Sequence, residues 1–221
     1  MPKAFSEQEK QIISQRLLKQ GYNQFSAYGL KKTNIEEIAK AAGISKGAFY
    51  GFYASKEELF MDVIEEVEGR VRQELLTAID LPGPSPRARL YKIFQKAIQL
   101  FSSLPILRIF SSGDFELLFQ RIPEKKIKDH LGSDQAFFNI LIERCQNSGI
   151  PFKANADLVV SMFYPLIMSV FQEEKNSHNK LGGNLEALLE LIAAYCVGEV
   201  ELKLQTKKVY ESKKGKNEFH Y

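Results

Sequence analysis

The sequence contains only two cysteines and three histidines. Cys145 and Cys196 lie far apart, outside any Cys-x-x-Cys spacing and with no histidine pair nearby, so we expect no metal site. Both cysteines are interpreted as small core hydrophobic residues rather than redox groups. His130 and His178 lie in polar surroundings and are expected at the surface.

Sequence features of enzymes and of membrane or secreted proteins are missing as well. No nucleophile–base pairing, phosphate loop or paired-carboxylate motif is present, which argues against an enzyme, and no cofactor is expected. The most apolar stretch, residues 158–171, is interrupted by Ser161, Pro165 and Ser169 and is shorter than the ~20 residues that a bilayer span requires. The first residues lack the apolar run of a secretory signal, so we expect a cytoplasmic protein.

The charge of the chain is unevenly distributed. Residues 1–56 carry nine Lys or Arg against four Asp or Glu, whereas residues 57–206 carry 16 against 21. A net positive charge on residues 1–56, followed by a net negative charge on residues 57–206, favours a polyanionic partner for the first segment only. So small a difference can also arise by chance, and charge alone does not decide for nucleic acid.

The hydrophobic pattern predicts an all-α fold. Apolar residues recur at spacings of three and four, and no strand-like alternation persists. The prediction is about nine helices, in an N-terminal three-helix helix-turn-helix domain over residues 1–56 and a larger helical bundle over residues 57–207. A polar tail follows over residues 208–221. Beyond a long helix over residues 56–79, which the run Leu81 to Pro86 ends, helical segments are expected at residues 87–103, 106–121, 123–148, 155–174 and 184–207.

The first 56 residues contain the signals of a helix-turn-helix. A capping box at Ser6 starts a helix that is expected to end before Gly29, and Thr33 with Glu36 predicts a second capping box. That helix ends at Gly43, and a Ser45 cap starts the next one only two residues later, as a helix-turn-helix requires. The expected core between the helices consists of Ile38, Ala39, Ala42, Ile44 and Phe49.

The third helix has the composition that a groove-reading helix needs. Gly47 and Ala48 have little bulk, so the backbone can approach DNA, and Lys46 can reach a base edge or a phosphate. The Tyr50 hydroxyl can meet the DNA backbone. Lys56 opens the next helix, whose free amides also favour a phosphate. Each residue taken alone could equally pack, cap a helix or be solvated; together they favour DNA binding.

Residues 33–60, TNIEEIAKAAGISKGAFYGFYASKEELF, closely resemble the DNA-binding segment of the TetR (tetracycline-repressor-like) family of bacterial regulators. The resemblance implies a homodimer, operator binding and, usually, release by a small ligand. By position it implies that Thr33 is a phosphate-contacting helix cap. The leading turn of the recognition helix corresponds to Ser45, Lys46, Gly47 and Ala48. Two further phosphate contacts correspond to Tyr50 and Lys56.

The sequence departs from this family at Gly51 and Phe52, where a basic or polar residue and a histidine are common. This departure leaves a rival hypothesis, in which the protein is a helical adaptor that has lost DNA binding. A mobility-shift assay with the upstream region of its own gene separates the two hypotheses.

The body is expected to dimerise and to bind an effector. Wide apolar stripes on the last two long helices, within residues 155–207, resemble the dimer-forming pair of the family. The alternative is that both stripes are internal core. Aromatic residues are frequent in the middle of the chain and suit an apolar or aromatic small molecule, although most of them are expected only to pack. The residues assigned to this ligand are Phe101, Phe110, Phe115, Phe119, Phe138, Met162 and Phe163.

Overall fold

The computed structural model describes residues 5–111, 118, 120–173 and 182–201, and these residues form an all-helical protein. The predicted fold class is confirmed. Eight α-helices and one 3-10 helix lie within these ranges: α1 (Glu7–Lys32), α2 (Ile35–Ala42), α3 (Lys46–Phe49), α4 (Lys56–Ala78), α5 (Pro86–Ser102), the 3-10 helix (Pro105–Ser111), α6 (Glu124–Asn147), α7 (Ala156–Glu173) and α8 (Gly182–Val197). None of the helices in the described ranges combines the length and the apolar character needed to span a bilayer.

Side-chain caps set where most helices begin. Ser6 and Ser45 accept amide hydrogen bonds at the starts of α1 and α3, as predicted. The predicted cap of α2 is wrong by one residue, because Asn34 accepts the bond from the Glu36 amide. The Thr33 hydroxyl instead donates to the carbonyl of Gly29 at 2.7 Å, and so closes the end of α1.

Two glycines with positive φ mark the ends of predicted helices. Gly29 has φ 73° and interrupts α1, but one more helical turn follows it, so α1 extends to Lys32 rather than ending at the glycine. Gly198 has φ 79°, and α8 ends just before it at Val197. The prediction of a helix to residue 207 is therefore wrong, because a left-handed residue ends a helix by turning its backbone away. Residues 202–221 lie outside the described ranges.

The N-terminal helices share a hydrophobic core with the first half of α4. The predicted small core is confirmed, since Ile38, Ala39, Ala42 and Phe49 are each at most 1% exposed and Ile44 packs against them. Helix α1 lies close to α4 at Gly21, where an added Cβ atom would come within 3.2 Å of Leu59. The same core includes Ile106 and Leu107 of the 3-10 helix.

A second core fills the body between α5, α6, α7, α8 and the end of α4. Cys145 and Cys196 are free and fully buried in this core, which confirms their interpretation as core residues. Burial raises the pKa of the Cys145 thiol to about 11 and that of the Cys196 thiol to about 12. Both therefore stay neutral at ordinary pH.

Helix α4 belongs to both cores. Its residues from Leu59 to Val67 pack with the N-terminal helices, and those from Val71 to Ala78 pack in the body. Phe101 and Leu104 contact both cores where α5 leads into the 3-10 helix. One continuous helix therefore joins the two cores.

Candidate nucleic-acid interface

Helices α2 and α3 are joined by a tight glycine turn. Gly43 has φ 81°, and its amide donates to the carbonyls of Ala39 and Lys40. The Ile44 amide donates to the carbonyl of Ala39 at 2.9 Å. The Ser45 hydroxyl then accepts from the Ala48 amide at 3.1 Å and starts α3. These bonds fix two short helices in the order and separation of a helix-turn-helix.

The leading turn of α3 is open to solvent. Ser45, Lys46 and Gly47 are exposed and Ala48 is half-buried. Within the described part of the chain, a Cβ atom added at Gly47 would meet only the Ser45 hydroxyl, at 3.9 Å. An exposed, low-bulk helix start with a lysine beside it is the surface that a major-groove contact requires.

Buried aromatic rings hold this turn in place. Phe49 is fully buried and packs against Tyr53 at a centroid distance of 5.9 Å. Tyr50 is 51% exposed, and its ring meets the Phe49 ring edge to face at 5.6 Å. The Tyr50 ring is thus held by its contact with Phe49, and its phenol is open to solvent beside α3.

Thr33 and Lys56 occupy a different position from the other predicted residues. Thr33 is 4% exposed, and its hydroxyl is bonded to the carbonyls of Gln24 and Gly29. The Lys56 ammonium donates to the carbonyls of Lys31 and Thr33, at 3.0 Å each. The Thr33 hydroxyl is therefore bonded within α1, whereas Lys56 joins the end of α1 to the start of α4. Their contacts with phosphate stay predictions.

Four of the predicted residues, Thr33, Lys46, Tyr50 and Lys56, line one cleft together with a residue that sequence reasoning missed. The cleft has a volume of about 390 Å³ and is open to solvent. Arg121, from the segment just before α6, lies on its wall together with Lys46, Tyr50 and Lys56. The full lining consists of Thr33, Asn34, Ile35, Lys46, Tyr50, Ala54, Ser55, Lys56, Glu57 and Arg121.

Arg121 is held by an acidic residue of α4. Its guanidinium lies 3.1 Å from the Glu57 carboxylate, and the Glu57 side chain is only 7% exposed whereas that of Arg121 is 63% exposed. The pair joins the body to the first turn of α4. No local sequence pattern could have identified it, because the two residues are 64 positions apart.

Farther along α4, charged side chains continue the contact with α6. Lys126 lies 2.7 Å from Asp62, and Arg72 pairs with Asp134. Burial, and then the nearby charge of Asp134, raise the pKa of Glu68 to about 8, against the opposing charge of Arg72. The contact between α4 and α6 is therefore polar along much of its length.

His130 of α6 lies in this contact. Its side chain is 16% exposed, so it is half-buried rather than fully at the surface as predicted. The prediction failed because the partner helix α4 is distant in sequence. His178 lies outside the described residues. Within the described ranges, Glu68, His130 and Asp134 are the group whose ligand atoms lie close enough together to hold a metal ion.

The residues assigned to an effector lie in different parts of the body. Phe163 is 8% exposed, and its ring lies against Phe94 at 4.6 Å, whereas Phe138 and Met162 are partly buried against the body core. Phe101 lies where the two cores meet. The side chain of Phe110 and the whole of Phe115 and Phe119 lie outside the described residues.

Helix α8 has two apolar faces. Leu189 and Ile192 face the body core, at 2% and 7% exposure. Leu188 and Leu191 point away from the core, at 37% and 58% exposure. The stripe predicted from sequence therefore divides into an internal part and a part that meets solvent in the single chain.

The sequence of the chain is similar to sequences of known bacterial regulators. Residues 17–63 match the family described as bacterial regulatory proteins, tetR family. The HTH-type transcriptional regulator AcrR of Shigella flexneri is 35% identical over 79 residues, which cover 35% of this chain and 37% of that protein. A probable acrEF/envCD operon repressor of Escherichia coli K12 is 27% identical over 154 residues, covering 67% of this chain and 68% of that protein.

A solved structure resembles the chain over most of its length. The transcriptional regulator FadR from Bacillus subtilis, in complex with stearoyl-CoA, matches with a TM-score of 0.56 and 17% identity over 85% of this chain and 99% of that one. At this identity the likeness shows the fold alone. Among four curated relatives, the matched segment spans 30%, 37%, 27% and 28% of the relative, which is about a third of each.

Proposed function

Because the chain is a member of the tetR family of bacterial regulatory proteins, we propose that it is a repressor that binds a palindromic operator as a homodimer and is released by a small apolar ligand. The observation that carries the proposal is the exposed leading turn of α3. It presents Lys46, Gly47 and Tyr50 above a fully buried Phe49. A protein that binds an operator acts on chromosomal DNA, so we assign it to the bacterial cytoplasm.

The DNA contacts divide into positioning and reading contacts. Tyr50 and Lys56 lie on the cleft wall, where a phenol and an ammonium position the phosphate backbone. Lys46 lies in the leading turn of α3, where a lysine can reach the acceptor atoms of guanine in the major groove. We expect Lys46 to determine sequence preference and the cleft residues to determine overall affinity.

A second copy of the chain is proposed to cover the outer face of α8. Leu188 and Leu191 are exposed apolar side chains on one helix face. Two such faces related by a two-fold axis would bury them against each other. The paired reading turns would then meet half-sites about 34 Å apart, one turn of the DNA helix, which is why the operator is proposed to be palindromic.

Release by a ligand is supported by the packing of α4. A ligand bound among the aromatic residues of the body, near Phe101, would contact the place where the two cores meet. A shift of α4 there changes the separation of the reading turns. The Bacillus subtilis FadR binds stearoyl-CoA, and a long acyl chain falls within the apolar class proposed for this protein.

The proposal is tested by selecting DNA fragments that the purified chain retains from a random library. A repressor of this kind selects a palindrome, and its affinity for that palindrome falls steeply with salt, because lysines that neutralise phosphates release counterions. Acyl-CoA thioesters and aromatic compounds are then screened by thermal shift, and hits are titrated against the complex. A folded protein that selects no sequence would favour the adaptor hypothesis instead.

A further inference from the structure

Three metal-ligating side chains meet between α4 and α6, away from the DNA-contacting surface. Glu68 of α4 faces His130 and Asp134 of α6, and their side chains are 15%, 16% and 38% exposed. The Nδ1 atom of His130 lies 3.7 Å from Glu68 Oε2, and its Nε2 atom lies 3.8 Å from Asp134 Oδ2. One ligand atom from each residue lies within 4.8 Å of the others.

The histidine has an unmet bonding requirement in this position. The Nδ1 atom of His130 is buried and has no hydrogen-bond partner among the residues that the structure describes. The distance from Nδ1 to Glu68 and that from Nε2 to Asp134 are both too long for hydrogen bonds. Because buried polar atoms in folded proteins are almost always satisfied, by protein or by ordered water, this nitrogen is available as a ligand for an ion or for water.

Arg72 contacts both carboxylates, and it lies 3.5 Å from the same Glu68 Oε2 atom that faces His130. Its guanidinium reaches Asp134 Oδ1 and, at 2.7 Å, the Ser133 hydroxyl. Asp134 Oδ2 is left facing His130. Metal-binding carboxylates are commonly held in this way, with one oxygen on the ion and the other on a neighbouring donor.

We propose that Glu68, His130 and Asp134 bind one divalent transition-metal ion, of the class of Zn²⁺ or Mn²⁺. Imidazole and carboxylate ligands suit this class, with bonds of about 2.0–2.2 Å for Zn²⁺. The i, i+4 spacing places His130 and Asp134 on one face of α6. Asp134 Oδ2 faces Nε2 rather than Nδ1, so binding one ion at Nδ1 requires a rotation of the Asp134 side chain toward Glu68. Water completes the coordination, because Asp134 is partly open to solvent.

The rival explanation is an ion-pair network in which Arg72 alone compensates the two carboxylates. Arg72 lies 3.5 Å from Glu68 and pairs with Asp134, so its positive charge opposes a second cation. The two explanations differ in what they predict for His130. A metal site requires its imidazole, whereas the ion-pair network keeps its charge balance without it.

The test uses the full chain, free of any affinity tag and treated with a chelator. Isothermal titration with ZnCl₂, and separately with MnCl₂, measures binding, and the visible spectrum with CoCl₂ reports a nitrogen and oxygen ligand set. We expect one ion per chain for at least one of these metals. The variants His130→Ala and Asp134→Asn should each weaken binding by about tenfold or more.

The matched control is Glu124→Gln, which removes an exposed carboxylate from the same helix, at 79% side-chain exposure. Its affinity should equal that of the wild type. If His130→Ala does not fold by circular dichroism, Asp134→Asn at a more exposed position decides. Absence of saturable one-to-one binding, or binding that survives both substitutions unchanged, overturns the proposal. Because the readout involves no DNA, this result is independent of operator binding.

Discussion

Removing the Arg121 guanidinium should destabilise the protein through the buried carboxylate that it leaves behind. Glu57 is 7% exposed and Arg121 lies 3.1 Å from it. At an effective dielectric constant of about 20, two unit charges at this distance attract by about 5 kcal/mol. Arg121 is 63% exposed, so water screens much of this attraction.

The expected cost lies between two measured classes of ion pair. Exposed pairs contribute up to ~1 kcal/mol, and breaking a fully buried pair costs ~3–5 kcal/mol. We therefore expect Arg121→Ala to lower the free energy of unfolding by about 2 kcal/mol. For a chain of this size that corresponds to a fall in Tm of about 4–8 °C.

The assay is urea denaturation followed by circular dichroism, in a double-mutant cycle with Glu57→Gln. Once residue 57 is a neutral amide, Arg121→Ala should cost less than about 0.5 kcal/mol, since no buried charge remains to compensate. Arg144→Ala is the control, because Arg144 and Asp80 are 3.8 Å apart and both at least half exposed. If Arg121→Ala has the same stability as this control, the reasoning is refuted.

Three further outcomes follow from burial and charge. Leu188→Glu should give a folded monomer in sedimentation analysis, and a dimer of this variant would place the interface elsewhere. Leu189→Glu, at a position that is 2% exposed, should instead unfold the body. Cys145 and Cys196 should resist a thiol reagent at pH 8 until the chain is denatured, because pKa values of about 11 and about 12 keep the thiols protonated; rapid native reaction contradicts this. Lys56→Ala should lower the Tm, because the Lys56 ammonium donates hydrogen bonds to the carbonyls of Lys31 and Thr33 at the end of α1. It should also lower the affinity for all DNA sequences alike. An unchanged Tm would contradict a stabilising role of these bonds.

Local signals made the helix-turn-helix predictable. The Ser45 cap, the Gly43 turn and the buried Phe49 each depend on residues within a few positions of one another. The Thr33 cap was placed one residue early because threonine and asparagine both accept amide bonds. The hydrogen bonds of the Thr33 hydroxyl to carbonyls of α1 decide between them.

Long-range contacts could not be predicted in the same way. Arg121 meets Glu57, and His130 meets Glu68, only after α6 packs against α4, and nothing local in the sequence specifies that pairing. Hydrophobic periodicity identified α8 as apolar but not which of its faces is internal. The stripe contains both Leu188 and Leu189, and packing separates them.

The most direct test of α3 as the helix that reads DNA is operator affinity, measured by fluorescence anisotropy on the palindrome that the wild-type chain selects. Lys46→Ala is compared with Lys92→Ala, which removes an exposed lysine from α5 in the body. Lys46→Ala is expected to lose affinity for the operator and to change its preference among operator variants, whereas Lys92→Ala should match the wild type. Equal affinity and equal preference in both variants, with the fold intact, would contradict the assignment of α3 as the helix that reads DNA.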